Sequence, residues 1–160
     1  MVDSSAISRL IRAGLVTGVT DGLFSSVLST FFYGSTVTRL FQGVASVLIG
    51  AAALDGGTRT AALGVLMHFG VAFGWSAVFL VLCLSSSWIR GLAGSSAGVL
   101  ATAAVYGPLI WIVMSMAIVP LLTHRPPTIN IRWWVQLVGH FPFVGLPIVA
   151  MIARTSTGPF

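Results

Sequence analysis

The chain has 160 residues, 56% of them hydrophobic and 7% charged, with a mean hydropathy of +1.00. Soluble domains carry roughly 25% charged residues to cover their surface, so this chain cannot clothe itself for water and most of its surface must face lipid or other protein. The formal charge of +5 comes from eight arginines and three aspartates, with no lysine and no glutamate. The arginines (Arg9, Arg12, Arg39, Arg59, Arg90, Arg125, Arg132, Arg154) stand singly at the edges of apolar runs. That is the spacing of topology signals rather than of a nucleic-acid patch. The single Cys83 excludes an intramolecular disulfide and a cysteine metal cage.

The first apolar run covers residues 10–32 and opens with Arg9 and Arg12. At about 1.5 Å per residue it spans the hydrocarbon layer. Asp21 interrupts its middle and no small-residue cleavage site follows closely, so we read a retained helix rather than a signal peptide. A stretch over 40–54 is short for a span and reads as a re-entrant or interfacial helix, ended by an Asp55-Gly56-Gly57 turn. Residues 60–84 are long enough to cross, and Trp88 and Arg90 beyond them are expected as interfacial anchors. Residues 98–122 cross again, with Pro108 and Pro120 as kink and exit. After the polar loop at 123–130, Arg132, Trp133 and Trp134 stand where an aromatic belt belongs, and a last run covers 131–153, stopped by Arg154. The expectation is an all-α integral membrane domain over 1–160, a bundle of four transmembrane helices plus one short helix. Five spans are the alternative. Positive-inside counting slightly favours five, and run length favours four more strongly.

Helices in lipid associate through close backbone approach, which small residues allow. Gly14, Gly18 and Gly22 recur every four residues on the first helix, and Gly70 and Gly74 on the third run, so both faces are expected to pack helices.

An exposed carboxylate at the centre of a span costs on the order of 2.5–3.5 kcal/mol. Asp21 is therefore expected to face the bundle interior, be protonated or have a partner. In the four-span arrangement His68 and His140 lie roughly 12–14 Å below the same membrane surface and Asp21 roughly 16–18 Å below it. The three form a candidate intramembrane cluster. It is open to four readings: a structural clamp, a proton or ion path, a haem b between the two histidines, and a non-haem metal site. No catalytic constellation or nucleotide motif is present, so no enzyme is expected, and neither a resident cofactor nor a metal is assigned.

The string Arg39-Leu40-Phe41-Gln42-Gly43-Val44-Ala45-Ser46, then Gly56-Gly57, Thr60-Ala61-Ala62-Leu63-Gly64 and His68-Phe69, is followed later by Val119-Pro120-Leu121 and by His140 ahead of Gly145-Leu146-Pro147-Ile148. It resembles a widespread type of small bacterial inner-membrane protein, and more distantly the YagU-like family. The resemblance covers about two thirds of the chain. It implies a bacterial cytoplasmic-membrane location and directs attention to Asp21, His68 and His140, and it brings no established activity. Size, composition and the glycine faces lead us to expect a non-enzymatic accessory or scaffold subunit that meets lipids and other membrane-protein subunits, with proton or ion conduction or haem binding by the cluster as the alternative.

Overall fold

A computed structural model describes residues 4–153. Arg154, expected to stop the last span, lies outside them. The helices are α1 (Ser4–Phe32), α2 (Val37–Ile49), α3 (Gly57–Ser85), α4 (Ser87–Leu92), α5 (Ser96–Thr123) and α6 (Ile131–Ala153). Of these, α1, α3, α5 and α6 are each long and apolar enough to cross a membrane. Helix α2, about 20 Å long, falls short of the ~30 Å hydrocarbon layer. No strand occurs among the described residues. A lipid-facing chain must satisfy its backbone internally, and the helix does so within one segment.

Helix ends differ from the apolar runs for a physical reason. Hydropathy marks the lipid-facing part of a segment, whereas backbone hydrogen bonding continues past it, so α1 is already helical at Ser4 and carries Arg9 and Arg12 within it. The stretch expected as one short helix over 40–54 is two pieces. Thr36 caps α2 by accepting from the Arg39 N–H, Gly50 at φ 73° ends it, and a 3-10 turn, Ala51–Asp55, leads into α3. Such a φ strains any residue with a side chain, which fixes glycine there. Ser95 and Asn130 cap α5 and α6 in the same way as Thr36 caps α2.

The spans form an up-down-up-down bundle. Gly14 and Gly18 of α1 face Phe73 and Phe69 of α3, so these two helices run antiparallel. Tyr106 of α5 donates to the Trp75 carbonyl of α3 at 2.8 Å. Helix α6 closes the square, meeting α5 at Gly107 and Gly145 and α1 through a Phe24–Phe143 stack at 4.4 Å. Both described ends of the chain therefore lie on one side of the bundle. Helix α2 sits at the opposite end, tied by Gln42 donating to the Gly57 carbonyl and Arg39 to the Leu54 carbonyl, while Thr60 of α3 donates to Ala53.

The two halves of the bundle differ in chemistry. Toward the chain ends lies the apolar core, with Phe79, Val149, Ile148 and Ile152 each at most 2% exposed. Toward the α2 end the interior carries Asp21, Ser25, His68, Gln136 and His140.

Glycines set the closest approaches. Cβ atoms at Gly14 and Gly18 would run into the rings of Phe73 and Phe69, and one at Gly22 would come within 3.3 Å of His68 Nε2. Gly70 and Gly74 face no described helix of this chain: a Cβ at either meets nothing within 4 Å. The tightest seams are elsewhere. Gly64 lies under the Phe41 carbonyl, Gly107 against the His140 carbonyl and Gly145 against that of Ala103.

Three spans contain a single π turn, at Leu28–Phe32, Met114–Ile118 and Phe141–Gly145. Proline follows closely in two of these regions, at Pro120 and Pro147. Pro147 has no N–H for the Phe143 carbonyl four residues back. Thr20 of α1 supplies the donor instead, its hydroxyl lying 2.6 Å from that oxygen. Thr20→Val leaves this carbonyl without a donor, and we expect a loss of about 1 kcal/mol, the upper part of the range for interhelical hydrogen bonds in membranes. Unfolding in mixed detergent micelles measures it, with Thr20→Ser restoring most of the loss.

Candidate functional site: an acid–imidazole pair inside the bundle

Asp21 and His68 are brought together by the antiparallel α1–α3 seam. Each lies about 16 Å from the α2 end of the bundle at 1.5 Å per residue, near mid-depth. His68 Nδ1 is 3.9 Å from Asp21 Oδ2, with side chains only 15% and 17% exposed. The imidazole is held on its other side too, since His68 Nε2 lies 2.9 Å from the Gly18 carbonyl. The rings of Phe41 and Phe69 stand edge-on to it, each with its centroid 5.8 Å away.

Hydrogen-bond logic fixes the tautomer. A carbonyl only accepts, so Nε2 must carry a proton, an assignment from geometry. In a neutral ring Nδ1 is then a bare acceptor facing the acid. At 3.9 Å the gap is too long for a direct hydrogen bond and is of a length that a bridging water spans.

The other oxygen of the acid, Oδ1, is buried with no partner. Thr17 Oγ and Gln136 Oε1 share that condition. Thr17, Asp21 and Ser25 recur every four residues, which places them on one face of α1. Gln136 of α6 donates to Ser25 at 3.4 Å. A polar stripe thus runs along the inside of α1. None of Thr17, Thr20, Ser25 or Gln136 stands out in the sequence, because single hydroxyls and amides are ordinary in any helix. Only their neighbours give them meaning.

His140 is deep and buried, as its depth in the sequence implies, and lies within electrostatic range of both Asp21 and His68. It does not join the pair. Its Nδ1 donates to the Gln136 carbonyl at 2.7 Å and its ring packs 4.9 Å from that of Trp111. Of the two histidines, His68 points Nε2 at the Gly18 carbonyl, and the ring of His140 lies beside that of Trp111. Among the described residues no three His, Cys, Asp or Glu side chains gather as a metal-binding group.

The expected anchors divide. Trp88 and Trp134 are exposed, and Arg132 stacks on the ring of Tyr33 at 4.3 Å. Arg90 turns back to donate to the Cys83 and Leu84 carbonyls, capping α3. Trp133 faces inward, its indole donating to Ser115 at 3.0 Å, while Ser115 donates to the Trp111 carbonyl.

Compared with known proteins, the chain matches no family model, no curated sequence and no solved structure. Fold and site define its class on their own: a helical membrane protein with four potential spans and an acid–imidazole pair between two of them.

Proposed function

We propose that this is a non-enzymatic proton-handling protein of the bacterial cytoplasmic membrane, in which Asp21 and His68 take up and release one proton from the α2 end of the bundle. The observation that carries this reading is the buried, unpartnered Oδ1 of Asp21 beside a 3.9 Å gap to His68. Buried polar groups are normally filled. A carboxylate serving only as a clamp has its oxygens saturated, whereas one that exchanges a proton keeps acceptor capacity in reserve. The apolar core on the far side of the pair favours one-sided access and makes passage across the bilayer depend on a rearrangement of that core. Proton uptake by purified protein in sealed vesicles, followed with a trapped pH-sensitive dye after an acid step, tests the proposal. Uptake no faster than in protein-free vesicles overturns it.

A second reading, an accessory subunit that docks other membrane proteins, draws support from the open Gly70 and Gly74 face. A strictly monomeric protein in mild detergent counts against it.

A further inference from the structure

The seam between α1 and α6 opens outward as a groove of about 550 Å³, lined by Phe24, Trp134, Val135, Val138, Gly139 and Phe143 among others. Its walls offer no charged side chain, so its occupant is hydrocarbon. From Trp134 to Phe143 it runs about 13 Å along α6 at 1.5 Å per residue, close to the roughly 15 Å of one leaflet of the hydrocarbon layer. The stacked pair Phe24–Phe143 marks its deep end. At its mouth is a cation: Arg132 heads the helical row Arg132, Val135, Gly139, at spacings of three and four that place it above the groove. Its guanidinium, on an exposed residue, is steadied at 4.3 Å over the ring of Tyr33, the residue just past α1. A groove one leaflet deep, apolar along its length and positive at its headgroup end, matches a phospholipid with an anionic head.

We propose that the α1–α6 groove is a binding site for one anionic phospholipid, with an acyl chain between Phe24 and Val138 and the phosphate at Arg132. The proposal is independent of proton uptake at Asp21. Native mass spectrometry of the detergent-purified protein, with phosphatidylglycerol and phosphatidylcholine of identical chains added, tests it. Wild type is expected to hold one lipid and to prefer phosphatidylglycerol about five-fold, the effect of one arginine near an anionic headgroup. Arg132→Gln removes the preference while phosphatidylcholine still binds. Arg125→Gln, on the neighbouring loop, leaves it intact. Val138→Trp fills the groove from an exposed position and is expected to cut retention of both lipids at least about ten-fold, the typical consequence of losing more than 1.4 kcal/mol, with helical content and elution unchanged. Lipids lost gradually with no one-lipid species, an unaltered preference in Arg132→Gln, or equal effects of Arg125→Gln and Arg132→Gln overturn it. Arg132→Gln decides the matter even where the tryptophan variant does not fold.

Discussion

Asp21→Asn is expected to slow proton uptake into vesicles by about 100-fold or more, the lower end of what removing a positioned proton carrier costs, while the protein becomes no less stable. The two readouts together separate function from scaffolding. Asparagine has the shape of aspartate and can still accept at its carbonyl, so packing along the α1–α3 seam survives. It cannot take up a proton, so the carrier proposed at position 21 is lost. A clamp predicts the reverse, with weakened folding and unaltered uptake. The magnitude favours retained or increased stability. The carboxylate makes no hydrogen bond through Oδ1, and a central acid costs on the order of 2.5–3.5 kcal/mol on insertion scales, of which the neutral amide recovers a part. His68→Gln should slow uptake less, since the acid remains while its partner is gone. Wild-type uptake in Asp21→Asn would end the proposal.

Gly107→Ala is expected to destabilise the bundle by about 2 kcal/mol, and Gly70→Ala and Gly74→Ala to leave it unchanged or more stable by up to about 1 kcal/mol, the gain from replacing helical glycine. At Gly107 the added carbon would stand 2.6 Å from the carbonyl carbon of His140. Backbone cannot swing aside as a side-chain tip can, so the overpacking cost falls near the upper end of roughly 1–3 kcal/mol, and helix propensity offsets about 1 kcal/mol of it. At Gly70 and Gly74 the space is open and only propensity acts. Unfolding midpoints of the three variants in mixed micelles check this. Equal losses at all three positions would show that helical glycine itself, not the α5–α6 seam, sets the effect.

These glycines also show what a sequence of this kind reveals. The spans are legible because hydrocarbon leaves the backbone no other choice, so length and hydropathy alone select 60–84, within three residues of the observed α3, and a last span that opens at 131 as α6 does. Spacing by four places Gly14, Gly18 and Gly22 on one face, and α3 does cover it. The same spacing at Gly70 and Gly74 says nothing about what lies opposite. Gly64, Gly107 and Gly145 meet the backbone of a neighbouring helix and belong to no repeat, so no pattern announces them. Depth places Asp21 and His68 at one level because rise per residue is fixed. Depth also placed His140 there, and its ring turned to Gln136 and Trp111 instead, a matter of rotation about the α6 axis near a π turn that periodicity does not encode. Thr20 becomes visible only beside the carbonyl that Pro147 leaves open.

The unequal halves of the bundle carry an electrical consequence. A proton taken up from the α2 end as proposed would cross about half of the insulating layer to reach Asp21, its onward passage depending on a rearrangement of the packed remainder. Moving one elementary charge through the whole layer is worth about 2.3 kcal/mol per 100 mV, so half the path is worth about 1 kcal/mol, close to a seven-fold change in occupancy. Under the proposed uptake, the acid at position 21 would respond to voltage as well as to acidity.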